Sequence, residues 1–239
     1  MKLKYLLLSI MGVLVLVALL AGGAAVSPVS AASAGKAVDP IVAAVRKRYA
    51  GIEGIQADFV QTLSHKQSGR AEKREGVFYF AKPMNVRWEV KKPVPEIQLV
   101  TAEAIWNAFP DEDMAYKYTP EFPKELLSVM DLITGQSALN RDFDVESGGT
   151  DKGIATLLLY PKADNANSMN MAELSVDAGT GEIKRVVVVD FFHNRNDMEF
   201  TAQTFNPKLP EGIFTFTPTK GMKVEDKTKD GAAGKPLLQ

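Results

Sequence analysis

The stretch that most constrains the fold of this chain is Gly76 to Val90, with the sequence GVFYFAKPMNVRWEV. Its first part is aromatic and β-branched, which suits the pleated surface of a half-buried strand. Pro83 ends that run because proline has no N–H to contribute to a sheet. From Val86 onward apolar and charged residues alternate with a period of two, which is typical of a strand with one buried face. The stretch therefore predicts two strands joined by a turn.

The residues on either side predict one amphipathic helix and more short strands. The helix is expected over Pro40 to Ala50, since Asp39 is a good N-cap and Pro40 a good first helical residue. A polar hairpin loop is expected over His65 to Glu75. Further strands with short connections are expected at Gly54 to Ser64, Glu96 to Thr101, Ala104 to Phe109 and Met114 to Thr119.

A second helix is predicted at Lys124 to Thr134, followed by a second run of strands. The expected strands are 142–146, 153–160, 169–177, 183–192, 197–205 and 213–217. Gly148-Gly149 and the Ala178 to Gly181 stretch are expected to be hairpin turns. Large twisted sheets curl, so about eleven antiparallel strands favour a mostly β fold with helices, an incomplete, half-open antiparallel β-barrel.

The N-terminal residues have the layout of a secretory signal peptide. Lys2 and Lys4 precede an apolar run from Leu6 to Leu20, and small residues follow, with cleavage expected after Ala32 or Ala34. A retained membrane anchor is less favoured because spanning needs about 20 apolar residues. The expected division is a signal peptide at 1–34, one domain at 35–225 and a flexible C-terminal tail at 226–239.

Composition excludes several kinds of function. The chain has no cysteine, which removes disulfides, Cys metal sites and a cysteine for lipid attachment. Its formal net charge of −1 becomes −3 without Lys2 and Lys4, and no basic cluster supports nucleic-acid binding.

No catalytic pattern is present either. His65 and His193 each lie in a polar loop, and Asp111 to Asp113 lacks the ligand spacing of a calcium loop. The chain is therefore expected to have no catalytic residues, no metal and no cofactor, and not to be an enzyme.

Aromatic and methionine side chains are concentrated on the predicted strands. Methionine is flexible and suits surfaces that accept varied apolar ligands. The same residues could equally form an ordinary core, and composition does not distinguish a filled barrel from a hollow one.

Four motifs in order resemble the outer-membrane lipoprotein carrier family, the LolA type. They are Phe59 and Gln61 in ADFVQ, the Gly76 to Trp88 run, Pro93 followed by the Trp106 strand, and Phe214 to Asp226. There are two departures: Lys82 stands where the family often has Arg before the first Pro, and Ala102-Glu103 replaces the usual Asp-Gly turn. Lysine cannot make the planar, forked hydrogen bonds of arginine.

The resemblance implies a half-barrel whose helices form a lid over a hydrophobic cavity. It implies a periplasmic, monomeric carrier of acylated lipoproteins, which takes them from an inner-membrane ABC transporter and passes them to an outer-membrane receptor lipoprotein. On this basis the cavity is expected to be lined by Phe59, Phe78, Phe80, Trp88, Trp106, Tyr116, Leu126, Leu127, Met130 and Ile133. The two helices, Pro40 to Ala50 and Lys124 to Thr134, would be the lid, and Lys82 or Arg87 would latch it.

Three alternatives stay open from the sequence. One is a periplasmic lipid-binding or lipid-sensing protein with the same half-barrel. The others are a hydrolase of exported polymers and a purely structural β-protein. An acid-lined cleft would favour the hydrolase, and a dry, filled interior would favour the structural protein.

Overall fold

A computed structural model of the chain describes residues 31–120, 139, 143–162 and 169–228, with only the backbone given for 31–37. Its one long helix in this part is α1 (Ala31–Tyr49). The strands are β1 (Gly54–Ser64), β2 (Ala71–Ala81), β3 (Asn85–Lys92), β4 (Glu96–Val100), β5 (Ile105–Phe109), β6 (Met114–Tyr118), β7 (Phe143–Asp151), β8 (Ile154–Pro161), β9 (Met171–Asp177), β10 (Ile183–Val189), β11 (Arg195–Phe205) and β12 (Lys223–Asp226). A single 3-10 turn (Pro110–Glu112) joins β5 to β6.

All the strands of the described residues belong to one open sheet of 12 strands, in the order β12-β6-β5-β4-β3-β2-β1-β11-β10-β9-β8-β7. Two antiparallel meanders, β1–β6 and β7–β11, meet where β1 pairs with β11. β12 pairs with β6 in parallel. Within the described residues the sheet does not close, since β12 and β7 stand at its two ends.

The register separates the two faces of the sheet. One row across β2 to β6 consists of Phe78, Trp88, Gln98, Asn107 and Tyr116. The adjacent row consists of Tyr79, Arg87, Leu99, Trp106 and Lys117. Successive side chains on a strand point to opposite faces, so these two rows lie on opposite sides of the sheet.

Helix α1 packs on the side of the first row, which we call the helix face. Val38, Val42, Val45 and Tyr49 are buried in one core cluster with the inward side chains of the sheet. Gly181, in the β9–β10 turn, lies directly under α1, because a Cβ there would be 2.2 Å from the carbonyl oxygen of Ala44. Glycine at this position therefore allows the helix to approach the sheet edge.

The segment 206–222 crosses the other side, which we call the strap face. Its Leu209 lies near Gly54 of β1, the Ile213 carbonyl accepts a hydrogen bond from Arg87 of β3, and Phe216 packs on Trp106 of β5. The Lys223 N–H then donates to the Asp113 carbonyl, where β12 begins. The strap, residues 206–222, thus runs across the sheet from β1 to β6.

Several sequence predictions are confirmed by these bounds, and others are corrected. The strand at Gly54–Ser64 is confirmed. The helix expected at Pro40 to Ala50 begins earlier, at Ala31, with Pro40 inside it. The Ala-rich sequence before Pro40 favours helix, and an internal proline removes one backbone donor without excluding the turns that precede it.

Two loop or turn predictions and one strand prediction were wrong. Residues 71–75, expected in a loop, belong to β2, because β1 pairs along its whole length up to Ser64 and Ala71. The Gly148-Gly149 pair is a bulge inside β7, and the turn comes at Lys152 and Gly153. The expected strand at 213–217 is part of the strap.

Two further boundaries differ at the ends of strands. The strand expected to continue to Phe192 ends at Val189, and Phe191 and Phe192 form a turn. The first residue of the tail expected at 226–239 belongs instead to a paired strand, since β12 extends to Asp226.

Candidate functional site

An aromatic cluster forms the middle of the helix face. The ring centroid of Trp88 lies 4.7 Å from that of Phe59 and 5.0 Å from that of Phe78. Phe200 of β11 continues the cluster, 5.9 Å from Phe78. The three phenylalanines are buried, whereas Trp88 is half-buried. The cluster thus presents one aromatic side chain that apolar material could still contact.

Gly76 makes this arrangement possible. It pairs with Phe59 across β1 and β2, and the Phe59 ring lies over it. A Cβ on Gly76 would be 2.8 Å from Cζ of Phe59 and 2.0 Å from the Glu89 carbonyl oxygen. The ring can reach Trp88 because there is no side chain beneath it, which is the covering of a strand glycine by a cross-strand aromatic residue.

Next to the cluster, the helix face of β4 to β6 carries half-buried side chains. Phe109 and Tyr116 have centroids 6.2 Å apart, and Tyr116 stacks on Tyr118 at 6.4 Å. Partial burial raises the pKa of both tyrosines, so their hydroxyls stay neutral at physiological pH. In the same area, Oδ1 of buried Asn107 has no hydrogen-bond partner. This part of the face is amphipathic and incompletely packed.

A layer of polar side chains borders the cluster at one end of the helix face. Buried Arg74 donates to Glu96 at 3.1 Å and to Glu72 at 2.7 Å. Gln61, which pairs with Arg74 across the strands, donates to Asn196 at 2.9 Å. A buried charge is tolerated only when it is paired, so this layer is a fixed polar boundary to the apolar surface.

The C-terminal end of α1 is anchored at the other end of the sheet. The Tyr49 hydroxyl accepts a hydrogen bond from the Ile183 N–H at 3.1 Å, and burial raises the pKa of Tyr49 to about 12. The Arg48 guanidinium lies 3.7 Å from the centroid of the Phe205 ring and 3.8 Å from Glu182. Tyr49 meets the same Phe205 ring edge-on. These contacts fix the end of the helix against β10 and β11.

The structure distributes the predicted lining residues over both faces. Phe59, Phe78, Phe80, Trp88 and Tyr116 lie on the helix face. Trp106 does not: it lies on the strap face, packed against Phe216 at 5.0 Å with the Lys117 ammonium 5.5 Å from its ring. Leu126, Leu127, Met130 and Ile133, and the helix predicted for them, lie outside the described residues.

The two predicted latch residues also lie apart. Lys82 makes an exposed ion pair with Glu53 at 3.1 Å. Arg87 lies on the strap face, where it donates to Glu89 and to the Ile213 carbonyl. A latch role for Arg87 would therefore act through the strap, and the latch role of either residue stays a prediction.

Sequence reasoning omitted several residues of the helix face from the site. Phe200 belongs to the aromatic cluster, and half-buried Ile105, Phe109 and Tyr118 lie beside Tyr116. Alternation within β5 and β6 could have grouped them with Tyr116, because residues two apart on a strand share a face.

The site offers apolar contact rather than reactive groups. In residues 31–120, 139, 143–162 and 169–228, no group of three or more His, Asp or Glu side chains is placed to hold a metal ion. No helix of that part is long and apolar enough to cross a membrane. A shallow open groove is present on the strap face, lined by Val60, Thr62, Ser175, Lys184, Arg185, Asp197 and Glu199. Its charged lining is unsuited to an apolar ligand.

Comparison with known proteins decides the family. The sequence pattern of "Outer membrane lipoprotein carrier protein LolA" matches residues 50–217, most of the chain. This chain belongs to the LolA family. The outer-membrane lipoprotein carrier protein of Dechloromonas aromatica (strain RCB) is 24% identical over 172 residues, covering 71% of this chain and 80% of that protein. The carrier of Neisseria meningitidis serogroup B (strain ATCC BAA-335 / MC58) is 26% identical over 174 residues, with 72% and 80% covered.

A solved structure supports the fold of this LolA-family chain. An uncharacterized conserved protein from Thermus thermophilus superposes with a TM-score of 0.51 at 15% identity, covering 80% of this chain and 99% of that one. The recognition of the family from the sequence motifs is thus confirmed. The mostly β, open sheet is confirmed as well.

Proposed function

We propose that this protein is a periplasmic carrier that binds the acyl chains of lipoproteins and moves them from the inner to the outer membrane. The observation that carries the proposal, together with membership of the LolA family, is the aromatic cluster of the helix face. Its half-buried Trp88 borders a region of side chains that are only partly covered. Flexible apolar chains suit such a surface because they need area rather than fixed hydrogen bonds.

A carrier has to release its cargo as well as bind it. Burying an acyl chain gains about 0.8 kcal/mol for each CH₂, on the order of 10 kcal/mol for one chain. Part of this gain has to be offset, for example by displacing side chains that cover the site when it is empty. We propose that the helix predicted from the sequence at Lys124 to Thr134 supplies this cost as a movable lid. The anchored end of α1 acts as a fixed wall, and the lid role of the predicted Lys124 to Thr134 helix stays a prediction.

The proposed partners follow from the same role. The donor would be an inner-membrane ABC transporter and the acceptor an outer-membrane receptor lipoprotein, with the carrier itself a monomer between them. The charged groups Arg74 and Glu96 would remain paired at the border, so that only the acyl part of the cargo enters the apolar surface.

The two tryptophans of the chain allow a direct test of the acyl site, because they lie on opposite faces. Trp106→Phe leaves Trp88 as the single tryptophan, and Trp88→Phe leaves Trp106. Each variant is titrated with a triacylated lipopeptide that carries bromine on its acyl chains. We expect quenching of Trp88 and little change in Trp106. Equal quenching of both, or of neither, would place the acyl chains elsewhere.

The nature of the cargo is tested by native mass spectrometry of the protein purified from periplasm. An added mass that dissociates to an acylated polypeptide supports the carrier. A bound free lipid would instead support a lipid-binding or lipid-sensing protein with the same fold. Loss of the protein from the periplasmic fraction would contradict the proposed location.

A further inference from the structure

In the described part of the chain, the exposed large apolar side chains are all at one end of the sheet. Among the described residues these are Val94, Tyr160, Phe191, Phe192 and Val224. Ser64 pairs with Arg195, and Val189 pairs with Met171. The C-terminal ends of β1 and β10 and the N-terminal ends of β9 and β11 therefore lie at the same end of the sheet. The β3–β4 loop, the end of β8 and the start of β12 belong to this end too. The opposite end exposes no comparable side chain in the described part of the chain.

The most apolar element of this end is the turn between β10 and β11. Phe191 and Phe192 are 44% and 46% exposed, although they are adjacent and large. Single apolar side chains are often exposed on protein surfaces, whereas adjacent exposed ones suggest a surface that contacts a partner.

The turn holds these two rings out rigidly. The Asp190 carboxylate accepts hydrogen bonds from the backbone N–H groups of Phe192 and Asn194, both at 2.8 Å, and from the Asn194 side chain at 2.8 Å. Asp190 is itself buried, and its carbonyl accepts from the His193 N–H at 3.0 Å. Little conformational entropy would be lost on contact because the backbone is already fixed.

A basic loop lies against this turn. The Lys66 N–H donates to Oδ1 of Asn194 at 3.0 Å, which joins the β1–β2 loop to the β10–β11 turn. The loop, His65 to Arg70, carries Lys66 and Arg70 and no acidic residue. It is closed by the His65 N–H donating to the Arg70 carbonyl at 2.8 Å. The loop that carries these two cations is therefore joined to the turn that carries the two exposed phenyl rings.

We propose that the Phe191-Phe192 turn and the His65 to Arg70 loop form a docking point for an anionic lipid surface. Shallow insertion of aromatic side chains together with attraction of lysine and arginine to anionic headgroups is the combination that gives reversible binding to a membrane interface. The acidic turn at Asp111 to Asp113 is at the same end, but β2, β3 and β4 separate β1 from β5. The contact would therefore be made by the β1 and β11 side of the sheet.

The test is flotation of the full-length mature protein with vesicles of phosphatidylcholine alone or with phosphatidylglycerol added. The wild-type protein should float with the anionic vesicles at low salt and be released at high salt. Phe191→Ser combined with Phe192→Ser should reduce binding at least about tenfold, given the apolar area removed. Its thermal unfolding should stay close to that of the wild type because neither side chain belongs to the buried core. Absence of binding by the wild-type protein to anionic vesicles overturns the proposal, even if native membranes containing protein retain it.

A matched pair of charge variants separates the local site from net charge. Lys66→Ala should weaken binding about fivefold, the usual contribution of one cation near an anionic surface. Lys152→Asn removes one cation from the β7–β8 turn at the opposite end, where asparagine tolerates the positive φ of 48°. It should leave binding unchanged. Equal loss in both variants would show a general charge effect and overturn the docking point.

A direct readout comes from Phe192→Trp in a background with Trp88→Phe and Trp106→Phe. Its emission should shift to the blue on mixing with anionic vesicles, because the ring leaves water. An unchanged spectrum at a lipid concentration that floats the protein would place the contact elsewhere and overturn the proposal.

Discussion

The helix face has two regions that differ in how well they are packed. In the β8–β10 region the inward side chains include Leu157, Leu159, Leu174 and Val176, all at most 1% exposed. In the β4–β6 region the inward side chains include half-buried Ile105, Phe109, Tyr116 and Tyr118, together with Gln98 and an unpartnered Asn107 oxygen. One face of the sheet thus carries a fully buried core and a second region whose side chains are only partly buried.

The difference teaches where stability and binding reside in this chain. A well-packed core supplies most of the free energy of folding, and the buried side chains of α1 are part of it. A ligand site needs surface whose burial is not yet complete. The aromatic cluster around Trp88 lies between the two regions and belongs to both.

The difference in packing between the two regions is tested most directly by making the same substitution in both. Ile183→Ala, at a residue 1% exposed, should lower the free energy of unfolding by about 3–4 kcal/mol through loss of burial and formation of a cavity. Ile105→Ala, at a half-buried residue, should cost about 1–2 kcal/mol. Urea denaturation followed by circular dichroism measures both. Equal costs would mean that the two regions are equally packed.

A slightly smaller effect is expected from adding one methyl group under the aromatic cluster. Gly76→Ala should destabilise the protein by about 3 kcal/mol, because the Cβ would meet the Glu89 carbonyl oxygen and the Phe59 ring. Gly148→Ala, on edge strand β7, meets a Thr156 side-chain methyl at 2.9 Å and should cost less than about 1 kcal/mol. Trp88 fluorescence should change in the first variant alone. An unperturbed Trp88 spectrum in Gly76→Ala would contradict the stacking described for the cluster.

The anchor of α1 should give the well-packed region a pH dependence at alkaline pH. The pKa of Tyr49 is about 12 in the folded chain and about 10 when unfolded. Between these values the unfolded state releases a proton that the folded state keeps, so stability present below pH 10 is lost as pH rises towards 12. The loss from this group is about 2–3 kcal/mol.

Tyr49→Phe is the control for that loss. It should cost about 1 kcal/mol at pH 7, because the Ile183 N–H loses its acceptor, and this deficit should shrink as pH rises above 10. Chemical denaturation of both proteins from pH 8 to 11.5 measures the difference. A constant difference over that range would mean that Tyr49 is not buried as described.

The smallest effect is expected at Lys82, at the exposed rim. Lys82→Ala should change the free energy of unfolding by less than about 0.5 kcal/mol, since its ion pair with Glu53 is solvent-exposed and weak. If Lys82 has the latch role, the variant should instead release a bound lipopeptide faster. Stopped-flow release measures this effect, and Glu53→Ala, which breaks the same ion pair, is the matched control. Unchanged release would remove Lys82 from the list of latch candidates.

The sequence predicts most strands of the sheet but not every boundary. Alternation from Val86 to Val90 predicts β3, because one side of that strand is buried and the other charged. The same rule fails at Ile213 to Thr217, where the alternation reflects packing of the strap on Trp106 and Arg87 rather than strand pairing. Residues 71–75, four of which are charged, are poor strand formers, yet pairing with β1 keeps them extended.

The candidate site shows the same limit. Periodicity groups residues that share a face but does not identify that face when both sides of a sheet are covered. The sequence therefore groups Trp106 with Trp88, although the strap covers Trp106 on the opposite face. The burial of Phe200 beside Phe78 depends on the pairing of β1 with β11, more than a hundred residues apart in sequence.

The strap lies between β11 and β12, and the late position of these two strands in the sequence has a consequence for the order in which the chain folds. The two joints of the sheet, β1 with β11 and β6 with β12, both need residues after 195. Hairpins within each meander can form early because their contacts are local, whereas pairings of high sequence separation form slowly. A chain that emerges with its N-terminus first would therefore carry an unpaired β6 edge until β12 follows. The sheet, and with it the apolar surface, is then completed only at the end of folding.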